Sequence, residues 1–308
     1  MSIGRRIDGW LINPVPAARL GVFRILVGAY AAVWSMIRLP EHLALARHTE
    51  ARWEPIGVLA PLPHPPANWA IVVLALVVPV LAAAFAAGWR YRVIGPVTAL
   101  ALLALLTFAS SWGQIFHTEN LLALHVVVLA GAPAAAVLSL DARRAGSPSV
   151  GDSGRYGWPL RVAALVTVAT YLLAGWAKLR TTGVAWVDGD VLRRLVIHDN
   201  LRKELLGDTT SPLAATVVSN AWLFSPLAVL ALVVELGAPF ALAGRRIRDA
   251  WVATAWLFHV GVLSMMAVLF PYHLVGLAFA PLYPLERLGR TPRQRVTVAE
   301  GSGGPARA

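Results

Sequence analysis

The sequence predicts an all-α fold, a polytopic transmembrane helical bundle of about eight helices, and three observations support that prediction. Hydrophobic residues make up 57% of the 308 residues and charged residues only 14%, whereas soluble domains contain about 25% charged residues. The apolar residues fall in blocks of about twenty, which is the length that an α-helix needs to cross the hydrocarbon core of a bilayer. The blocks lack the alternation of a transmembrane β-barrel, so we expect helices throughout.

Eight apolar blocks are span candidates. The last two meet directly at Phe270 and Pro271, where a tight turn is required. Together they form one predicted transmembrane domain, residues 19–288. It lies between an N-terminal segment of residues 1–18 and a Gly-, Pro- and Arg-rich tail of residues 289–308, which we expect to be disordered. The predicted spans are Leu20–Leu39, Trp69–Gly88, Ile94–Trp112, Leu121–Leu140, Pro159–Leu179, Leu223–Ala243, Trp251–Phe270 and Pro271–Leu285.

The long connection between the fifth and sixth spans contains an amphipathic segment, Val191–Leu206. Its Leu and Val side chains can face lipid or the bundle while its charged residues face water. We therefore expect this segment to lie along the outer surface as a helix that covers the site.

The distribution of basic residues predicts the orientation, because cytoplasmic loops carry an excess of Lys and Arg. With the N-terminus inside, the inner segments hold 17 of the 27 basic residues and the outer segments hold 8. We expect a multi-pass protein of the plasma membrane with both termini cytoplasmic. The net charge of +11 does not predict nucleic-acid binding, because the arginines punctuate apolar spans instead of forming one basic face. The expected partner is the lipid bilayer.

Few ionisable residues lie inside the predicted spans. The position of each one needs a physical explanation, because a charge at the bilayer centre costs about 2.5 to 3.5 kcal/mol. Arg24 lies one turn into the first span, where it can snorkel to lipid phosphates in a structural role. Glu235 and His259 lie in the middle of the sixth and seventh spans. We expect these two side chains to hydrogen-bond to each other or to a shared water.

A second group of polar residues gathers at the outer ends of the spans. His117 and Glu119 lie between the third and fourth spans, and His273 opens the eighth. Lys178 ends the fifth span and is one of only two lysines beside 25 arginines. Partial burial there would lower the lysine's pKa towards working pH, which is the condition for a nitrogen base, whereas an arginine could not release its proton.

Metal and thiol chemistry are not expected. The chain has no cysteine, which excludes thiol nucleophiles and thiolate metal sites. Four histidines could in principle converge as imidazole ligands, but no pair has the i, i+4 spacing that places two ligands on one helix face. These histidines are His117, His125, His259 and His273.

Several motifs that carry these residues resemble the HTTM domain, the transmembrane module shared with the vitamin K-dependent γ-carboxylases, and the chain looks like a bacterial member. The most specific part is YLLAGWAKL at Tyr171–Leu179, followed by W-x-x-G at Trp186–Gly189. The other matching segments are RLGVFRILVG at Arg19–Gly28, HTENLLAL at His117–Leu124, LFSP at Leu223–Pro226 and FHVGVLSMMAVLFPY at Phe258–Tyr272.

The resemblance implies roles for two residues. Lys178 falls at the position of the base that deprotonates vitamin K hydroquinone, and His117 matches a histidine of the same site. The family's site faces the lumen, which corresponds to the outer side that the basic-residue count gives these two residues. γ-Carboxylation of a protein substrate is not expected, because the large luminal domain of the carboxylases has no match in the sequence.

Three functions are compatible with the sequence. The preferred one is a membrane enzyme that uses a Lys general base on a quinol-like, lipid-soluble small molecule at the outer face. Its candidate cofactor is a quinone or hydroquinone. The second is a transporter or an ion- or proton-conducting protein with Glu235 and His259 as a relay. The third is a toxin or peptide maturation partner without turnover. For the enzyme, the candidate catalytic residues are Lys178, His117, His259 and Glu235, and the candidate cofactor-binding residues are Tyr171, Trp186, Glu119 and His273.

Overall fold

The computed structural model describes residues 8–115, 117–147 and 150–288. Within these ranges the chain is almost entirely helical, and its only β-structure is one isolated bridge between Val15 and Ser153. The α-helices are α1 (Ala17–Ile37), α2 (Leu39–Leu45), α3 (Asn68–Ala87), α4 (Tyr91–Ala109), α5 (Asn120–Ala130), α6 (Leu140–Arg144), α7 (Gly154–Thr182), α8 (Asp190–Leu205), α9 (Ala214–Ser219), α10 (Phe224–Leu236), α11 (Arg245–Met266) and α12 (Pro271–Leu274).

Five of these helices are long and apolar enough to cross a membrane, and they correspond to the first, second, third, fifth and seventh predicted spans. They are α1, α3, α4, α7 and α11. The all-α class is therefore confirmed. The amphipathic segment predicted between the fifth and sixth spans is also a helix, α8, and its boundaries lie one residue from the predicted ones at each end.

Two predicted spans are only partly helical. The fourth, Leu121–Leu140, contains the 11-residue helix α5, after which residues 131–139 form turns and bends. The sixth, Leu223–Ala243, contains the 13-residue helix α10 and then a 3₁₀ segment, Ala238–Leu242. Apolar composition predicted a helix in each block, and each block contains a shorter apolar helix, but composition does not show where the α-helical hydrogen bonding ends.

The eighth predicted span, Pro271–Leu285, is not a continuous helix, and this part of the prediction is wrong. It consists of the four-residue helix α12 and a 3₁₀ segment, Leu277–Leu282. Gly276 between them has a left-handed φ of 79°. Pro281 lacks the amide hydrogen that an α-helix would use at that position. The segment packs against α7 and α1 as an irregular strip.

Helix α1 is the centre of the bundle. It packs against α3, α5 and α7, and its inward side chains Phe23, Val27 and Ala31 are fully buried. A Cβ atom on Gly28 would lie 2.9 Å from Ala86 of α3. The missing side chain thus allows the two backbones to approach closely, as small residues do at the interfaces of membrane helices.

Arg24 of α1 does not snorkel to lipid, so that expectation is wrong. Its side chain is fully buried, and the guanidinium donates to the carbonyl oxygens of Ala86 at 3.3 Å, Ala134 at 2.8 Å and Leu138 at 2.5 Å. These carbonyls lie at the end of α3 and in the irregular segment after α5. Arg24 therefore has the structural role that the sequence suggested, but it acts by satisfying backbone carbonyls inside the protein.

Candidate functional site

The pair of Lys178 and Glu235 lies where the last turns of α7 face the end of α10. Lys178 Nζ donates a short hydrogen bond to Glu235 Oε1. The glutamate is 3% exposed, while 24% of the lysine side chain remains accessible. A Cβ atom on Gly175, one turn before the lysine, would lie 2.9 Å from the Glu235 Cβ atom. The glycine thus lets α7 and α10 approach closely enough for the ion pair to form.

Trp186 packs over the lysine. Its ring centroid lies 5.3 Å from Lys178 Nζ, which is within the range of a cation–π interaction. The indole is 4% exposed and donates to the carbonyl of Ala228 at 3.2 Å. Trp186 is therefore held inside the protein beside the ammonium, where it shields one side of the ion pair from solvent.

Glu235 and His259 do not hydrogen-bond directly to each other, so that form of the predicted pairing is wrong, while the alternative of a shared water stays a prediction. Glu235 bonds Lys178, and His259 Nε2 shares a hydrogen bond of 2.8 Å with the Tyr171 hydroxyl. The sequence placed both groups correctly in the interior. The partners differ because α7 carries Lys178 and Tyr171 two turns apart, and each of them meets one of the two groups.

Three aromatic or imidazole rings complete this cluster. The rings of His259 and His273 contact each other, with their centroids 4.2 Å apart and their planes tilted by 33°. Phe270 lies 4.8 Å from His259 and 5.3 Å from His117, again between ring centroids. Tyr171, His259 and His273 are each 4% exposed. The rings and the ion pair are joined through α7, on which Tyr171 and Lys178 lie two turns apart. We call the set Lys178, Glu235, Tyr171, His259, His273, Phe270 and Trp186 the lysine cluster.

Three buried polar atoms of the lysine cluster have no hydrogen-bond partner within the described part of the chain. They are Glu235 Oε2, His259 Nδ1 and His273 Nδ1. A buried polar atom without a partner costs about 1 to 3 kcal/mol. Most buried polar groups in native proteins are bonded. Three such atoms in one cluster therefore indicate a place that receives polar atoms from outside the chain.

His117 lies at the edge of the lysine cluster. Its ring surface is largely accessible, and it contacts Phe270. Partial burial by surrounding protein atoms lowers its pKa, the carboxylate of Glu119 opposes this shift, and the positive charge of Lys178 adds to it. The charge of Lys178 thus acts on His117, and the expectation that the two residues line one outward-facing site stays a prediction.

Glu119 belongs to the neighbouring wall instead of the lysine cluster. It is 6% exposed, accepts a hydrogen bond of 3.2 Å from Trp34 Nε1, and lies 3.9 Å from Arg38 Nε. With Trp34, Arg38 and His42 it lines a small cavity between α1, α2 and α4. Of the four predicted cofactor-binding residues, Tyr171 and His273 lie with ring centroids 6.0 Å apart, Trp186 packs on Lys178, and Glu119 is set apart.

His125 forms a separate, fully bonded site. The ring is completely buried, and its Nδ1 atom lies 2.8 Å from the Tyr272 hydroxyl. Its Nε2 atom lies 3.1 Å from Thr167 Oγ1 and 3.2 Å from the Ala163 carbonyl. Across the described ranges, no group of three His, Asp or Glu side chains has an arrangement that could hold a metal ion.

Sequence reasoning missed Phe270 and Tyr272. Phe270 joins His117 to His259, and Tyr272 holds His125. Both lie in the run Phe270–His273, where the sequence predicted a tight turn at Phe270–Pro271 followed by the start of the eighth span. Two aromatic residues and a histidine around one proline at a span end are a signal that could have pointed to a site.

Long apolar helices that enclose a buried cluster of ionisable side chains define a multi-pass helical membrane protein. The chain matches the HTTM domain family over residues 12–284, nearly its whole length, and therefore belongs to that family. Comparison with the curated proteins gave no match, and neither did comparison with the solved structures.

Proposed function

We propose that this HTTM protein is a membrane enzyme that deprotonates a quinol-like, lipid-soluble substrate at the outer face of the plasma membrane. The observation that carries the proposal is the Lys178–Glu235 ion pair, which lies in one cluster with three unpartnered buried polar atoms. A base and open hydrogen-bonding atoms together are what a site for an acidic hydroxyl requires. The resemblance to the γ-carboxylases implies the same role for Lys178.

The ion pair gives the lysine a way to act as a base. A quinol hydroxyl can give its proton to Lys178 only when the lysine is a free amine, and Glu235 can provide that state by holding the lysine's proton. The net change is one proton moved from the hydroxyl to the pair, which leaves a phenolate beside the ammonium of Lys178. The ammonium then stabilises the phenolate by its charge.

Other residues of the lysine cluster supply the contacts that a quinol ring needs. The unpartnered Nδ1 atoms of His259 and His273 can each bond an oxygen of the ring. Phe270 and Trp186 offer apolar faces beside them. His117, whose ring remains accessible at the edge, is suited to pass a proton between the site and solvent.

The transporter interpretation depended on a relay between Glu235 and His259. Each of these groups has a different partner, Lys178 for Glu235 and Tyr171 for His259. A proton path would need Tyr171 or a further group to join them, so the enzyme is the better supported of the two. Peptide maturation without turnover has no structural feature of its own in its favour.

Quinone identification in lipid extracts of the purified protein tests the proposal. We expect a quinone in the wild-type extract and much less in the extract of His273→Ala, because the substitution removes a ring-bonding atom. Trp222→Phe is the control, since this tryptophan is 72% exposed and lies outside the lysine cluster. A wild-type extract without any quinone contradicts the proposal.

A further inference from the structure

An open apolar groove runs along the surface between α11 and the irregular strip that follows α12. Its volume of about 480 Å³ lies in the range of small-molecule sites. On α11 the lining residues fall at positions 249, 252, 253, 256 and 257, which form one stripe of the helix. Phe279 and Tyr283 form the opposite wall.

The groove has a wall in common with the lysine cluster. The ring of Phe279 lies 6.3 Å from that of Tyr171 and 6.2 Å from that of His273, measured between centroids. Trp256 on the other wall donates to the Leu274 carbonyl at 2.8 Å, which fixes its indole against α12.

One end of the groove is positively charged. Asp249 lies there, and Arg245, Arg246 and Arg248 occupy the first turn of α11 around it. Arg248 bonds Asp249 at 2.9 Å and neutralises it. Arg245 is 3.8 Å from the same carboxylate, but 83% of its side chain is accessible. Two positive charges thus remain in excess beside an apolar groove.

We propose that the groove binds one anionic phospholipid, with an acyl chain between Trp256 and Phe279 and the phosphate at Arg245 and Arg246. The apolar walls match a hydrocarbon chain, and the excess positive charge matches a headgroup that is itself negative. A zwitterionic lipid fits the same walls but gains no net attraction from the arginines. The proposal is independent of the enzymatic function proposed above.

Fluorescence quenching by lipids with brominated acyl chains tests this site, because bromine quenches a tryptophan that it touches. The purified protein is reconstituted with brominated phosphatidylglycerol or with brominated phosphatidylcholine. The Trp256 signal is obtained by subtracting the Trp256→Phe variant from the wild type. We expect Trp256 to be half-quenched at a roughly tenfold lower mole fraction of the anionic lipid.

The double variant Arg245→Gln/Arg246→Gln should lose this preference. Its matched control is Arg143→Gln/Arg144→Gln, an exposed pair in α6 on the same predicted side of the membrane, which should keep the preference. Equal quenching by the two lipids in the wild type overturns the proposal. So does an equal loss of the preference in both double variants, because that result means general attraction to a charged surface.

Discussion

Two buried polar regions of this protein differ in how completely they are bonded. Around Arg24 and His125, the guanidinium meets three carbonyls and both imidazole nitrogens have partners. The lysine cluster leaves three buried polar atoms without partners in the described chain. Burial of polar groups is costly in both places. Full bonding indicates a structural role, and incomplete bonding indicates a site for something else.

The two regions meet at one short helix. Two adjacent residues of α12 contact different regions. The Tyr272 hydroxyl shares a hydrogen bond with His125, and the ring of His273 contacts that of His259. The rigid bonded region therefore holds the segment that carries one ring of the lysine cluster. Such support from a packed second layer is what a preorganised site requires.

Arg24 and Lys178 are predicted to lie near opposite sides of the membrane, and topology reporters give an all-or-none test. A fusion at Ala145, which follows the Arg24 region, should report the cytoplasm, as should a fusion at the C-terminal tail. A fusion at Asp199 in α8 should report the exterior, because the basic-residue count places that connection outside. An exterior tail, or the same side for Ala145 and Asp199, breaks the orientation.

Loss of Arg24 should give the largest stability effect. Arg24→Leu removes three hydrogen bonds from a charged donor and leaves buried carbonyls unbonded, so we expect a loss of about 3 kcal/mol or more. The comparison is Arg19→Leu, five residues earlier, whose ion pair with Glu286 leaves 24% of the arginine side chain accessible, so that water can partly replace it and the loss should be smaller. Thermal unfolding in detergent measures both. Similar losses for the two variants contradict the role given to Arg24.

The two buried histidines His125 and His259 should differ in their contribution to stability. His125→Leu leaves the buried Tyr272 hydroxyl without its partner and should cost about 2 kcal/mol. His259→Leu removes one bond to Tyr171 but also removes an unbonded nitrogen, so its net cost should be smaller, about 1 kcal/mol. Unfolding temperatures of the two variants rank them. A larger loss for His259→Leu means that the lysine cluster is structural.

The smallest effect is electrostatic and concerns His117 at the edge of the lysine cluster. Partial burial holds its pKa below the ordinary value for histidine, Glu119 raises it and Lys178 lowers it. His117 therefore stays neutral in the folded protein at a pH where the unfolded chain already binds the proton. Stability from this group is present above the ordinary histidine pKa and declines as pH falls below it.

NMR titration of the His117 ring checks both charges. Lys178→Met should raise the His117 pKa, and Glu119→Gln should lower it further. An unchanged His117 pKa in the Lys178→Met variant would mean that His117 is not electrostatically coupled to the lysine cluster. His48, an exposed loop residue in edge-to-face contact with Trp112, is the control, and its ring signals should be the same in the wild type and both variants.

Sequence reasoning went furthest where one strong signal decides the structure. The length of the apolar blocks predicted α1, α3, α4, α7 and α11. Because ionisable residues are rare within the spans, the few that occur there identified side chains that the fold buries. The eighth span failed because composition does not reveal that Gly276 and Pro281 interrupt the helix. The partners of Glu235 and His259 depend on how α7 packs between α10 and α11, and spacing along one chain does not contain that information.

Deprotonation of a bound hydroquinone tests most directly that the lysine cluster is a catalytic site. A short-chain naphthohydroquinone is titrated anaerobically with the purified protein, and its phenolate absorption is followed against pH. The ammonium of Lys178 should lower the pKa of the bound hydroxyl by about 1 to 3. Lys178→Arg keeps the positive charge and so should keep the lowered pKa, but it should slow the formation of the phenolate, measured as a rate at fixed pH, because an arginine cannot take up the proton. Lys203→Arg, the same exchange at the other lysine, should behave like the wild type. Identical phenolate formation in wild type and Lys178→Arg would contradict the account.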